Sequence, residues 1–237
     1  MNNNLFEIKI LCDKENFIAI DKPAGMPFHS SDKNTGILQL LRDFEENGII
    51  NKGERIYPVH RLDSITSGIL IFARGKKIAN QISNEFRFHR VNKIYIAISD
   101  RKPLKKNGVI KGDMHKSRNG SWMLDRGCKN PAITYFTSES IPERRPGLRV
   151  FFLNPKTGKT HQIRVAMKSI GAPILGDHLY GRYDLARNED RAYLHAYALQ
   201  IKIGEKIEKI ICKPTSGIEF TTSAFENILN RYNDPFK

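Results

Sequence analysis

The chain has 237 residues, enough for one large domain with a substantial buried core. Lysine and arginine outnumber aspartate and glutamate by 39 to 25, and the formal net charge of +14 favours a polyanionic partner such as a nucleic acid. The sequence has no apolar run of about 18 residues and no signal-like start, so we expect neither a membrane-spanning helix nor secretion.

The cysteines and histidines indicate no metal site. Cys12, Cys128 and Cys212 are an odd number and widely spaced, which predicts reduced thiols in a cytoplasmic protein, with neither a disulfide framework nor a zinc site. The seven histidines are scattered without ligand spacing. We therefore expect no structural metal.

The periodicity of apolar residues predicts the secondary structure. In chain order it indicates a strand at residues 17–20, helices at 37–44 and 78–86 separated by a strand at 69–72, and strands at 94–98, 132–136, 148–153 and 207–212. Ser223 and Glu226 then have capping-box spacing, which predicts that a C-terminal helix begins there. This order predicts an α+β fold, with a mixed, largely antiparallel central sheet and flanking helices, as a single domain over residues 1–237.

The stretch of residues 101–129 is rich in basic side chains and contains Trp122. One interpretation is a solvated hairpin, which is the usual fate of a charge run. The other is a basic arm that contacts a nucleic-acid backbone through several phosphates. We favour the arm, because the whole chain is basic; its candidate binding lysines are Lys105, Lys106, Lys111 and Lys116.

The segment Gly158-Lys159-Thr160 superficially matches a phosphate-binding P-loop, since a strand-like run precedes it and a helix follows it. That loop needs a glycine five residues before Gly158, where the chain curls around the phosphate. Leu153 occupies that position, and its side chain restricts the backbone. The sequence therefore disfavours a nucleotide-hydrolysing phosphotransferase.

The segment from His60 to Gly68 reads His-Arg-Leu-Asp-Ser-Ile-Thr-Ser-Gly and leads directly into the strand-like run at residues 69–72. Asp63 is thus predicted to lie on a loop anchored by a rigid strand, where reactive side chains are commonly held. An ion pair between Arg61 and Asp63 in a surface turn is the alternative interpretation.

Four other segments strengthen the first interpretation. They are residues 16–29, which contain Lys22-Pro23-Ala24-Gly25; residues 93–97, which read Lys-Ile-Tyr-Ile-Ala; residues 158–181, which contain His161-Gln162-Ile163-Arg164 and Gly176-Asp177; and Leu194-His195-Ala196. Together with the segment around Asp63 they closely resemble, in the same order, the motifs of the RluA-type pseudouridine synthases. The resemblance extends from about residue 17 to residue 199.

The resemblance implies an RNA-modifying isomerase that converts a uridine of structured tRNA or rRNA to pseudouridine and needs no cofactor. Many relatives carry a small RNA-binding module before the first motif. Because that motif begins here by Phe17, we expect a stand-alone catalytic domain that holds RNA itself, as a monomer. In the family, a histidine and a leucine often follow the arginine and valine, whereas Ala166 and Met167 follow Arg164 and Val165 here. We do not regard the missing histidine as catalytic.

The resemblance also implies roles for individual residues. Asp63 corresponds to the essential aspartate of the family, and Arg164 to an arginine that pairs with it. Such a pair counteracts the effect of burial, which disfavours an ionised carboxylate. Tyr95 corresponds to an active-site tyrosine whose ring can stack on uracil. The alternative for Arg164 is a surface position on an amphipathic helix, and the alternative for Tyr95 is the core; the matching motif favours the active site for Arg164, and Lys93, two positions earlier, favours it for Tyr95.

A uridine inside folded RNA must leave its stack to reach such a pocket. Arg61 corresponds to a family arginine associated with filling the gap, although a scaffold ion pair is an open alternative. His60 and Lys93 are further candidates near the RNA, and His60, with Lys22 and Pro23, is expected mainly to shape the loops.

Two functions remain open at this point. The first is the synthase, acting through attack by Asp63 or through abstraction of a ribose proton. The second is a non-catalytic RNA-binding or assembly factor on the same fold, which has no need of Asp63, Tyr95 and Arg164 together. The sequence does not distinguish tRNA from rRNA as the substrate.

Overall fold

The computed structural model describes residues 8–29, 36–141, 146–232 and 234–236. The chain divides into two compact units: the first contains the residues up to 91 together with 199–212, and the second contains residues 92–198 together with those from 213 onwards. The prediction of a single domain stays a prediction.

The described residues form an α+β fold with a mixed, mostly antiparallel sheet and a few helices, which confirms the predicted class. Every predicted strand and helix has a counterpart. The strands are β1 (Lys9–Asp13), β2 (Phe17–Lys22), β3 (Ile56–Pro58), β4 (Ser67–Arg74), β5 (Asn92–Ser99), β6 (Asn107–Gly112), β7 (Met114–Lys116), β8 (Trp122–Leu124), β9 (Ala132–Ser140), β10 (Arg149–Pro155), β11 (Leu194–Ile203) and β12 (Lys206–Ile211). The helices are α1 (Ile37–Glu46), α2 (Lys76–Arg87), α3 (Gln162–Ser169), α4 (Tyr183–Ala186) and α5 (Ser223–Arg231).

In the first unit, the central pair of strands is β2 and β4. They run antiparallel from Phe17 opposite Ala73 to Lys22 opposite Gly68, while β1 pairs with β2 and β3 with β4. All eight residues of β4 are buried, and α2 packs on the same core through Ile82. The pairing sets Lys22, at the end of β2, beside the start of β4, so Lys22 and the loop that carries Asp63 lie together.

In the second unit, which contains β11 up to residue 198, the strand order is β11-β5-β10-β9-β6, and β7 and β8 form a separate two-stranded hairpin. Side chains alternate between the two faces of a strand. Ile94, Ile96 and Ile98 of β5 therefore join the core against α5, while Ala97 joins the core against α3. Tyr95 packs at the margin of the core with α3.

The start of α5 differs from the prediction by one residue. Thr222, and not Ser223, is the N-cap, and its hydroxyl accepts a hydrogen bond from the N–H of Phe225 at 3.2 Å. An N-cap needs extended backbone, which Thr222 adopts with φ −81° and ψ 146°. The side chains of adjacent Thr and Ser offer the same oxygen, so only the backbone geometry decides between them.

Two absences were also predicted. Cys12, Cys128 and Cys212, all of which the structure describes, form no disulfide. Among the described residues, no helix has the length and apolar character needed to cross a membrane.

Candidate active site

Asp63 lies in a tight turn just before β4. The main-chain carbonyl of Asp63 accepts a hydrogen bond from the N–H of Thr66 at 3.0 Å, which closes the turn. The Asp63 side chain is half-buried, Leu62 beside it is buried, and Arg61 is exposed. The turn thus presents one carboxylate at the surface of a rigid element, as the sequence predicts.

Lys22 fixes this turn to the loop that follows β2. Its side chain is fully buried, and its ammonium group donates to the carbonyls of Pro23 and Met26, both at 2.9 Å, and of Ser64 at 3.1 Å. The N–H of Gly25, whose φ of +85° favours glycine, donates to the same Ser64 carbonyl at 2.8 Å. A buried charge with these partners makes strong hydrogen bonds. Lys22 therefore holds the residue next to Asp63 in place, in agreement with its predicted role in loop shape.

His60 anchors the start of the same segment. Its Nε2 accepts a hydrogen bond from the N–H of Ile71 in β4 at 3.0 Å, and its ring stacks on Phe86 of α2 with 4.5 Å between centroids. These two contacts fix the imidazole against the scaffold. Contact of His60 with RNA stays a prediction.

Tyr95 and Lys93 lie on the same face of β5, two residues apart. Tyr95 is half-buried beside the core with α3, so the core interpretation holds for part of its ring. Lys93 is 9% exposed and donates to the carbonyl of Thr157 at 3.4 Å. Burial, with the positive charge of Lys156 as the smaller cause, lowers the pKa of Lys93 from its ordinary 10.5 to about 8.

We expect Lys93→Met to raise the free energy of unfolding at neutral pH and to lose this advantage as the pH rises. Because the pKa of Lys93 is about 8 when folded and 10.5 when unfolded, the unfolded chain holds more protons between these values. The parent therefore gains stability from pH 8 to 10.5, by on the order of 3 kcal/mol at about 1.4 kcal/mol per pH unit. Urea denaturation at pH 7 and 10 measures the difference; Lys102→Met, at an exposed lysine, is the control. A difference between variant and parent that does not change with pH contradicts the prediction.

Arg164 is buried in α3, at 6% exposure, and is not a surface arginine. Its Nε donates to Oδ2 of Asp177 at 2.7 Å and its Nη2 to Oδ1 at 2.9 Å, a bidentate pair with a fully buried carboxylate. The N–H groups of Leu179 and Tyr180 also donate to Asp177, at 3.0 and 3.2 Å. The guanidinium thus has a fixed plane. Its predicted pairing with Asp63 stays a prediction.

The start of α3 is fixed by Gln162, which is also buried. Its Oε1 accepts from the hydroxyl of Thr157 at 2.7 Å and from the N–H of Lys159 at 3.0 Å, and its Nε2 donates to β9 residues Ile133 and Thr134. The loop that resembles a P-loop therefore binds the side-chain amide of Gln162 through Thr157 and Lys159. Its geometry serves to orient the helix that carries Arg164.

Residues 16–169, which include Asp63, Tyr95 and Arg164, match a family model described as RNA pseudouridylate synthase. The chain belongs to the RNA pseudouridylate synthase family. It is therefore an RNA pseudouridine synthase, an isomerase, as the motifs predict.

Curated relatives support the same assignment. An uncharacterised RNA pseudouridine synthase of Haemophilus influenzae is 40% identical over 231 residues, which cover 97% of this chain and 98% of the relative. Ribosomal large subunit pseudouridine synthase D of Borreliella burgdorferi is 36% identical over 84% of this chain, which spans 62% of that relative's length. tRNA pseudouridine synthase C of Vibrio parahaemolyticus is 31% identical over 87% of this chain and 89% of its own.

The fold of this synthase is also that of a solved structure. Human RNA pseudouridylate synthase domain containing 4 superposes with a TM-score of 0.72 at 25% sequence identity, covering 95% of this chain and 93% of the human one.

The predicted basic arm of the synthase is not one element. Lys105 and Lys106 precede β6 and Lys111 lies on it, whereas Lys116 lies on β7 in the hairpin; all four are exposed. β6 pairs with β9 and is the outermost strand of the order given above. The lysines of the basic stretch therefore lie on two elements, the sheet-edge strand β6 with the residues before it and the hairpin of β7 and β8.

The sequence did not reveal which acid neutralises Arg164 in the synthase. Asp177 lies in a motif that was recognised, but no role was assigned to it. Gly176 gives the available signal: a Cβ there would lie 2.0 Å from the carbonyl oxygen of Arg191, and its φ is +76°. Only a glycine fits where the main chain of residue 176 passes so close to the main chain of Arg191. The backbone next to Asp177 therefore has a closely defined position.

Proposed function

We propose that this synthase isomerises a specific uridine of a structured tRNA or rRNA, with Asp63 as the essential carboxylate. The observation that carries the proposal is the Asp63 turn, which β4 and the buried Lys22 ammonium hold rigidly in a chain of this family. Preorganised placement of a reactive group is what such chemistry needs.

The reaction moves the uracil from N1 to C5 attachment on the same ribose. The C1′–N1 bond breaks, the base turns, a C1′–C5 bond forms, and the proton from C5 is replaced by one on N1. Nothing is oxidised or reduced and no group is added, so the conversion is balanced without a cofactor. An ionised carboxylate serves either as nucleophile towards the sugar or base, or as the base that removes a ribose proton to give a glycal.

Tyr95 and Arg164 are assigned supporting roles. The half-exposed ring of Tyr95 offers a flat surface for uracil, and its hydroxyl a route for a proton. The guanidinium of Arg164 has a plane fixed by Asp177, which suits it to orient a carboxylate through paired hydrogen bonds.

Substrate access requires that the uridine leave its stack. Arg61 is exposed two residues before Asp63, a position suited to fill the gap left in the RNA. The exposed lysines of the sheet edge and the hairpin are assigned to phosphate contacts, which release counterions and give salt-dependent affinity. One relative is named for the large ribosomal subunit and another for tRNA, so both RNA classes are candidates for the substrate.

The experiment is an assay of the purified chain on unmodified tRNA and rRNA that have been folded first. We expect pseudouridine at discrete positions in one RNA class, detected as carbodiimide-dependent stops of reverse transcription. The reaction should proceed without nucleotide triphosphates and in the presence of a chelator. RNA binding with no pseudouridine in either class would favour the assembly factor instead.

A further inference from the structure

Tyr180 contacts both the hairpin and the helix that carries Arg164. It is 3% exposed, and the Arg164 guanidinium carbon lies 4.9 Å from the centroid of its ring. Its hydroxyl oxygen accepts a hydrogen bond from the N–H of Trp122 in β8 at 2.9 Å, and lies 2.9 Å from Nδ1 of His161. One side chain thus joins the hairpin to the start and the body of α3 within the second unit.

The hairpin has one face towards α3. Met114 pairs with Leu124 and Lys116 with Trp122, so these side chains share a face, and Leu124 packs at the margin of the core that contains Ile163 of α3. The ammonium of Lys116 lies 6.0 Å from the centroid of the Trp122 ring. The side chain of Lys116 therefore lies over the ring of Trp122, and the main-chain N–H of Trp122 donates to the hydroxyl of Tyr180.

We propose that Tyr180 is a positioning residue that holds the hairpin against α3 and so sets where Lys116 meets the RNA backbone. The inference rests on the proposed function for its RNA partner. The hydroxyl and the ring have separable tasks. The hydroxyl holds the hairpin through the N–H of Trp122. The ring packs against the face of the Arg164 guanidinium, whose edge is hydrogen-bonded to Asp177.

The first test is limited proteolysis, which does not depend on catalysis. Tyr180→Phe removes the hydroxyl and leaves the N–H of Trp122 without this acceptor, while the ring remains. We expect faster trypsin cleavage after Lys116 and Arg118, by about five- to tenfold, the scale of one lost hydrogen bond. Tyr183→Phe, which removes the hydroxyl of an exposed tyrosine in α4, should cleave as the parent does. Equal cleavage of the Tyr180→Phe variant and the parent overturns the proposal.

The second test separates binding from turnover. Tyr180→Phe should raise the KM for RNA about fivefold and leave kcat within about twofold, because the hairpin is displaced and the ring stays. It should also reduce the salt dependence of binding by roughly 0.7 in log-log slope, the value of one phosphate contact to a single strand. Tyr180→Leu should lower kcat as well, because the ring beneath Arg164 is lost. A Tyr180→Phe variant with reduced kcat and unchanged KM overturns the proposal.

A double-mutant cycle identifies the lysine through which the hydroxyl acts. Tyr180→Phe and Lys116→Gln should be non-additive in KM, since both remove the same RNA contact. Tyr180→Phe and Lys111→Gln should be additive, because Lys111 lies on β6 and not on the hairpin. Additivity with Lys116→Gln overturns the proposal.

Failure of the proposed function looks different from failure of this inference. If the parent makes no pseudouridine, proteolysis and the salt dependence of RNA binding still test the seating of the hairpin. If the parent is active and the Tyr180→Phe variant matches it in every measurement, only the role of Tyr180 is wrong.

Discussion

Asp63→Asn should reduce pseudouridine formation by at least about a thousandfold while RNA affinity stays within several-fold of the parent. Asparagine keeps the shape of the side chain but removes the ionised oxygen that both chemical paths require. The turn should persist, because it is closed by the main-chain carbonyl of residue 63 and anchored by Lys22. Single-turnover formation of pseudouridine at saturating RNA measures the chemical step, and a filter-binding titration measures affinity.

Asp184→Asn is the matched control, since it makes the same change at an exposed position in α4. It should retain the activity of the parent. An Asp63→Asn protein that still forms pseudouridine at a comparable rate would end the assignment of Asp63 as the essential carboxylate. Loss of RNA binding together with activity would mean that the substitution had altered the site and not the chemistry alone.

Arg164→Met should lower the free energy of unfolding by about 3–5 kcal/mol, which is the cost of removing one partner of a buried ion pair and leaving the other charge uncompensated. The fully buried carboxylate of Asp177 would lose its charged partner and keep the main-chain donors of Leu179 and Tyr180. Urea denaturation measures the change, and an unaltered dependence on urea concentration shows that the unfolding reaction is the same. We expect activity to be lost as well.

Two comparisons isolate the buried pair. Arg231→Met breaks an exposed ion pair with Glu139 in the same unit and should cost no more than about 1 kcal/mol. Adding Asp177→Asn to Arg164→Met should recover part of the lost stability, because an amide is neutral yet still accepts from the main chain. Equal losses for Arg164→Met and Arg231→Met would show that the Arg164–Asp177 pair contributes no more than a surface pair.

Local sequence patterns predicted the strands β2, β4, β5, β9, β10 and β12 correctly, but not β1, β3, β6, β7, β8 and β11. Apolar spacing predicts these elements because the residues on one buried face recur every two positions in a strand and every three to four positions in a helix. Asp63 was also identified from a contiguous segment, since the strand that anchors its loop follows directly in the chain. Even the error at α5 was confined to the choice between Thr222 and Ser223, two adjacent residues with equivalent side-chain oxygens.

Partners that are distant in sequence could not be read in the same way. The basic stretch of residues 101–129 looked continuous, yet hydrogen bonding to β9 assigns Lys111 to a sheet edge while Lys116 belongs to the hairpin. Similarly, nothing near Trp122 in the sequence indicates that its N–H donates to Tyr180. Such pairings depend on which strands become neighbours, and charge composition carries no information about that.

The sequence by itself determined the fold class, the family and the candidates Asp63, Tyr95 and Arg164, because each depends on short local motifs and on their order along the chain. Only the tertiary structure decided what holds them. Lys22 donates to the carbonyl of Ser64, 42 residues away, and Arg164 pairs with Asp177 across a turn. A buried polar group must find its partner in space, and many residues of the right chemistry exist in a chain this charged. Packing selects one of them, and that choice fixes the geometry of the site.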